Sequence, residues 1–287
     1  MQGKRIKKII PQMVKYLFLI LVLFFVMVPI LYTISSSFKT NAEIMAHPEH
    51  FLPEEPTLDN YRIAWSGKDF NIPRMFLNSV VYTVFCMVFT VTTSALAGYV
   101  FARGGNFTGS KVIFGVFSSL MFINMGTITI YPIFQVLGIL KLSSSLWGLI
   151  VMKFFSVGIV NIYLVRSYIR TIPAELDEAA EMDGCSFFGI FFRIMAPLLK
   201  PILATISILA FNSSWNEYLM PTLFTLNNKQ QRTLIVGIMS LKNSGVSAAN
   251  WNLMLAGATI AMLPILVVYA IANKYFVEGL TAGALKG

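Results

Sequence analysis

Six stretches of this sequence are each long and apolar enough to cross a bilayer: about Tyr16–Ser35, Phe76–Ala102, Val112–Tyr131, Leu146–Tyr168, Pro201–Phe224 and Trp251–Ala272. A hydrocarbon core about 30 Å thick takes roughly 20 apolar residues as a helix. Composition agrees. Of 287 residues, 56% are apolar and only 12% are charged, about half of the roughly 25% usual in soluble domains. A mean hydropathy of +0.70 points the same way. Disordered chains, coiled coils and water-soluble enzymes are excluded. The expected fold class is all-α: a polytopic membrane protein with six transmembrane helices.

The formal charge is +9, which in a soluble chain would raise nucleic-acid binding. Here the basic residues mostly lie between the apolar runs, so retention at a membrane face explains them better and no nucleic acid is expected. With the N-terminus inside, thirteen of the 22 Lys and Arg fall on inner segments, among them Lys4, Arg5, Lys7, Lys8 and Lys15. Eight fall outside, and Lys153 lies within a span. Lys and Arg favour the cytoplasmic side, so both termini are expected in the cytoplasm. The first apolar run is too long for a signal-peptide core and no A-x-A site follows it, so it reads as a retained anchor. The expected organisation is a basic cytoplasmic N-terminus at 1–15, a transmembrane domain at 16–272 and a cytoplasmic tail at 273–287.

Cys86 lies in an apolar run and Cys185 in a polar loop, which argues against pairing. His47 and His50 share one loop with no cysteine nearby. They read as solvated side chains, and no metal site is expected.

The strongest local signal is the loop at 171–201, T-I-P-A-E-L-D-E-A-A-E-M-D-G-C-S-F-F-G-I-F-F-R-I-M-A-P-L-L-K-P. Pro173 suits the first turn of a helix, where its missing N–H costs nothing. Glu175, Asp177 and Glu178 then sit at the positive end of the helix dipole. Gly184 falls at the natural stop. Leu176, Ala179, Ala180 and Asp183 share one face by i, i+3, i+4, i+7 spacing. A short helix with small residues on one face suits close docking and the transmission of force.

These residues resemble a known family. Glu178-Ala179-Ala180, then Gly184, Ile194, Pro197 and Pro201 resemble the EAA loop of ABC importer permeases, and Asp183 beside the glycine fits it. The segment Tyr275–Gly287 resembles the tail of MalG-like sugar permeases. So do Ser37-Phe38-Lys39, Pro56-Thr57-Leu58-Asp59-Asn60-Tyr61, Asn78-Ser79, Tyr99-Val100-Phe101-Ala102-Arg103 and Trp215-Asn216-Glu217-Tyr218. The resemblance spans nearly the whole chain. It implies a type I ABC importer permease fold in the bacterial cytoplasmic membrane. It also implies a second, non-identical permease, two ABC ATPase subunits and an extracytoplasmic solute-binding protein, with a carbohydrate as cargo. Leu176, Glu178, Ala179, Ala180, Asp183, Gly184 and Pro197 would then couple to the ATPase, and Gly279, Leu280, Thr281, Gly283 and Lys286 would form a second contact with it. Cys185 departs from the alanine frequent in the family, but it is small enough to keep close packing.

Charges inside a span cost roughly 2.5–3.5 kcal/mol each and need a reason. Lys153 and Glu217 each lie about seven residues in from the expected outer end of their spans, at about 10 Å depth. They could pair or face one water-filled cavity. Around Glu217 stand Asn212, Trp215, Asn216 and Tyr218. Amides, a carboxylate and aromatic faces are what a polyol path uses, and these residues with Lys153 are the candidate substrate path; helix packing or an interfacial aromatic belt would use the same residue types.

No Ser-His-Asp set, H-E-x-x-H, G-x-G-x-x-G or Walker A is present. The chain is therefore expected to be non-catalytic and to bind no cofactor itself, with ATP and Mg on the partner ATPase. The alternative is a secondary transporter or channel for a small polar solute. That would need ion-coupling carboxylates within the spans, and only Glu217 is available.

Overall fold

The protein is described here by a computed structural model covering residues 2–67, 70–104, 109–123, 126–242 and 250–284, with side chains described at 12–67, 70–104, 109–123, 126–242 and 250–272. In chain order the α-helices are α1 (Gln2–Ser36), α2 (Asn41–Ala46), α3 (Asp59–Ser66), α4 (Ile72–Arg103), α5 (Ser110–Leu120), α6 (Ile130–Ile139), α7 (Leu146–Phe155), α8 (Ile159–Ile169), α9 (Glu175–Met182), α10 (Phe187–Ile190), α11 (Ala196–Leu198), α12 (Lys200–Trp215), α13 (Leu219–Phe224), α14 (Leu234–Ser240) and α15 (Trp251–Ala284). Among the described residues no strand is formed.

Three uninterrupted segments can cross a bilayer: Gln12–Ser36, Ile72–Arg103 and Trp251–Ala272, of 25, 32 and 22 residues. The other apolar runs are broken. The fourth expected span is α7 and α8, bent by 41° at Ser156–Gly158. The third, expected as one helix over Val112–Tyr131, is divided between α5 and a second apolar segment, Gly126–Ile139, that opens with a 3-10 turn. The fifth, expected over Pro201–Phe224, is α12 followed by α13. Pro221 has no N–H to donate to the preceding turn, so the helix restarts instead of continuing. Asn216 closes α12 by returning its N–H to the carbonyl of Asn212.

The chain packs as two compact units, Met1–Ile72 with Gly237–Met262, and Pro73–Val236 with Leu263–Gly287. In the first, α1 is exposed along its whole apolar length from Met13 to Val26, as a lipid-facing or partner-facing helix must be. Its end is held by an interlock. The Asn60 side chain donates at 2.8 Å to the carbonyls of both Ser37 and Lys39, and accepts at 2.7 Å from Asn252. Ser37 and Tyr61 share a hydroxyl–hydroxyl bond of 2.6 Å. Lys39 is fully buried and donates to the carbonyl of His50. A buried ammonium needs such partners; Glu43, 3.9 Å away, supplies the opposite charge. Thus Ser37-Phe38-Lys39 and Asn60-Tyr61, separate marks in the sequence, form one structural element.

The second unit has two apolar cores. One joins α4, α8, α9 and the 187–206 region through Ala95, Tyr99, Val165, Ile169, Ala180, Ile190, Phe191, Met195 and Ile206. The other joins Tyr82, Cys86, Leu137, Leu149, Ile150 and Phe224. The α4–α8 approach is very close. A Cβ placed on Gly98 would stand 2.6 Å from Cγ1 of Val165 and 3.2 Å from the backbone nitrogen of Arg166. Only glycine fits between these helices.

Candidate functional site

The short helix expected in the 171–201 loop is α9. Its first turn carries Glu175, Asp177 and Glu178, which complement the helix dipole. At its end Gly184 adopts φ +79°, returning its N–H to Glu181 at 2.9 Å while the N–H of Cys185 reaches Ala180 at 3.0 Å. A side chain in this left-handed conformation costs roughly 1–2 kcal/mol, which explains the glycine. The four residues expected on one face divide. Ala180 is 5% exposed and packs into the core formed with Ile169, Phe191 and Met195. Leu176, Glu178, Ala179, Asp183 and Gly184 are exposed. Beside them Met182 is 88% exposed. The outward surface is therefore small, mixed apolar and acidic, and mounted on a buried face.

What mounts it is Arg103, in the last turn of α4. Its Nε stands 2.7 Å from Oδ2 of Asp177. Its Nη2 donates at 2.6 Å to the carbonyl of Ile172 and at 3.3 Å to that of Pro173. Burial pushes the Asp177 carboxyl above the usual aspartate value, and the Arg103 charge works against that rise. One turn back, the Tyr99 hydroxyl donates at 3.3 Å to the carbonyl of Phe187, and its ring packs on Phe187 and Phe191. Charge and aromatic packing thus grip the loop on both sides of α9. The sequence shows Tyr99 and Arg103 as motif members; their pairing with α9 is a long-range contact with no local periodicity to betray it.

Beyond α9 the backbone is unusual. Phe191–Met195 is π-helical, with the N–H of Ala196 bonding the carbonyl of Phe191. Pro197 follows and cannot donate to Arg193, so the helical pairing is disrupted at this point. The chain then turns by 78° into α12.

The polar residues of the spans do not form one cluster. Glu217 accepts from the Tyr82 hydroxyl at 2.7 Å. Lys153 instead lines a cavity of about 440 Å³ with Thr90, Ser156, Gly158, Asn161 and Ser213. Among the described residues the two make no ion pair. Trp215 is 3% exposed, stacked on Phe211 and edge-on to Phe76. Asn212 and Asn216 are exposed and joined by a 3.0 Å side-chain bond. Tyr218 is half-buried, and its carbonyl accepts from the Thr222 hydroxyl.

Residues 91–281, most of the chain, match the family described as binding-protein-dependent transport system inner membrane component. The chain belongs to this family. The probable ABC transporter permease protein YurM of Bacillus subtilis is 34% identical over 273 residues, covering 95% of this chain and 88% of that one. The arabinooligosaccharides transport system permease protein AraQ of the same organism is 34% identical over 275 residues, covering 93% and 95%. Among solved structures, a chain of a bacterial ABC transporter involved in the import of the acidic polysaccharide alginate superposes with a TM-score of 0.79 at 26% identity, over 93% of this chain and 96% of that one.

For a binding-protein-dependent permease the mounting of α9 is the informative geometry, because a permease contributes no catalysis and acts through contact. Of the tail residues named from the sequence, Gly279, Leu280, Thr281 and Gly283 lie on the backbone of α15 with their side chains outside the described residues; Lys286 lies outside the described residues altogether. The loop histidines prove to be gathered. His47, Glu49 and His50 bring ligand atoms within 4.8 Å of one another, all exposed, with the two rings stacked at 4.9 Å. Sequence spacing gave no reason to expect that stacking.

Proposed function

We propose that this permease forms, with a second and non-identical permease, the pathway of an ATP-driven saccharide importer, and that α9 is the element through which separate ATPase subunits drive it. The observation that carries this reading is the Arg103–Asp177 pair with its flanking carbonyl bonds. It fixes the buried face of a short helix while Leu176, Ala179, Met182 and Asp183 stay outward, the arrangement that lets a partner's movement pass into α4. A ligand or partner shifts a conformational equilibrium only through contacts that differ between the two states, and a rigid exposed helix supplies them. Glu178 and Gly184 shape this contact, Ala180 supports it from within, the exposed Pro197 marks the turn that follows it, and the end of α15 through Gly279–Gly283 with Lys286 forms a second ATPase contact. Both termini lie in the cytoplasm, consistent with the excess of Lys and Arg on the segments that share their side. ATP and Mg are bound by the ATPase chains.

The arabinooligosaccharide and alginate systems named above support a carbohydrate cargo. The exposed Asn212 and Asn216, with Glu217 and Tyr218 at the α12–α13 break, offer polar atoms to its hydroxyls, while Trp215 backs them from the interior. The decisive experiment is uptake of radiolabelled oligosaccharide into proteoliposomes holding the complete importer. Uptake that needs ATP and the external binding protein is expected. Uptake driven by a proton gradient without ATP would establish the secondary-transporter alternative instead.

A further inference from the structure

We propose that the break in the fourth span, Ser156–Gly158, is an anion-binding site that holds the carboxylate of an acidic saccharide in transit; this rests on the saccharide-importer reading and narrows its cargo. The first observation is Lys153. It lies well inside an apolar span, lines the 440 Å³ cavity, and has no carboxylate partner among the described residues. An ammonium left in such a place faces a cavity and serves a solute path. The second is the break itself. The eleven-residue helix α8 begins at Ile159 with no side chain capping it; the Ile159 N–H bonds the Val157 carbonyl, and the amides of Val160 and Asn161 with the positive end of the helix dipole lie at the cavity wall. The third is Ser94, fully buried and without a hydrogen-bond partner. Its Oγ lies 3.8 Å from where a Cβ on Gly158 would stand. Lysine charge and helix dipole meet at one short segment, with the unpaired Ser94 hydroxyl packed directly behind Gly158.

The rest of the lining names the class. Ser156, Asn161 and Ser213 offer hydroxyl and amide groups, which suit the ring hydroxyls of a sugar. A neutral sugar would leave the Lys153 charge uncompensated, whereas a uronate neutralises it and uses the same hydroxyl contacts. A lipid phosphate shares the charge but does not need the amide and hydroxyl lining.

The test uses the complete importer in phosphatidylcholine nanodiscs, in a Cys86→Ser, Cys185→Ala background carrying Ser213→Cys. The thiol is titrated with the anionic sulfonatoethyl and the cationic trimethylammonioethyl methanethiosulfonates. Relative to their rates with a free thiol, the anionic reagent is expected to react about tenfold faster, because a nearby fixed charge concentrates counter-ions. Lys153→Met abolishes the preference and Lys153→Arg keeps it. Trigalacturonate slows the anionic reagent and maltotriose does not. An unreactive thiol, or a preference unchanged in Lys153→Met, overturns the site. Equal protection by maltotriose overturns the acidic class, and protection by added phosphatidylglycerol in place of trigalacturonate assigns the site to lipid. Failure of ATP-dependent uptake overturns the importer reading alone, because the reagent ratio is read without turnover.

Discussion

Arg103 and Asp177 meet at 2.7 Å, the one at the last turn of α4 and the other on the buried side of α9. Both are nearly covered, so the pair behaves as an interior ion pair. Such a pair is costly to break from one side, at about 3–5 kcal/mol, and far cheaper to replace entirely. Arg103→Ala is therefore expected to loosen the loop and uncouple ATP hydrolysis from uptake. Arg103→Met with Asp177→Leu is expected to restore melting temperature while leaving uptake impaired, because the carbonyl bonds to Ile172 and Pro173 are also lost. Differential scanning fluorimetry and uptake per ATP hydrolysed separate the two effects.

The same aspartate sets a pH dependence. Its folded pKa lies above its unfolded value because burial disfavours the charged form. The folded loop therefore holds its proton more tightly than the unfolded chain does. By linkage the resulting stability is fully present below the ordinary aspartate pKa and is lost as pH rises through the raised folded value. Hydrogen exchange at the amides of Ala180 and Asp183, corrected for intrinsic rate, is expected to quicken over that acidic rise. In Asp177→Asn the dependence disappears. A variant that retains the full pH response would remove Asp177 as its source.

Gly184 can be tested through backbone strain alone. Nothing lies within 4 Å of a Cβ placed there, so a substitution meets no steric barrier and the cost is conformational. Gly184→Ala is expected to destabilise the loop by about 1 kcal/mol and Gly184→Asn by less, because asparagine tolerates this region. Gly184→Pro is expected to uncouple transport while expression survives.

Gly98 is the opposite case. Gly98→Ala drives a methyl into Val165, and overpacking of this kind costs about 1–3 kcal/mol. Val165→Ala is expected to rescue it only in part, since it removes Cγ1 but leaves the Cβ of residue 165 at 2.7 Å and the Arg166 backbone nitrogen at 3.2 Å. The melting temperatures of the two single variants and the double form the check.

Met182 separates contact from folding. It is 88% exposed, so Met182→Glu is expected to leave the melting temperature within about 0.5 kcal/mol of the parent in stability terms. If α9 seats in an ATPase groove, uptake falls sharply all the same. Undiminished uptake would exclude this residue from the contact.

The six apolar runs were legible because bilayer thickness imposes a length that any sequence must show. The stop of α9 was legible for a local reason as well: Gly184 announces a backbone conformation that few residues take. The breaks were less so. Nothing in the apolar count separates α5 from the segment starting at Gly126, and hydropathy alone cannot see a 41° bend at Ser156–Gly158. The inward side of α9 was not legible, because 3.6-residue spacing groups Ala180 with Leu176 and Ala179, and only the position of α8 and Phe191 decides which edge of that group is covered. Arg103 could have been suspected as a basic residue closing a long apolar helix, but its acidic partner is chosen by the fold.

The Asn60 interlock sets an order of assembly. Two of its bonds tie Asn60 to residues synthesised shortly before it, and they can form as soon as α3 has folded. The third waits for Asn252, which reaches the ribosome exit only when the last helix is being made. Until then the Asn60 carbonyl oxygen has no mate. A chain truncated before residue 252 is expected to present an unfinished knot to the membrane's proteolytic surveillance, so that only full-length polypeptide persists.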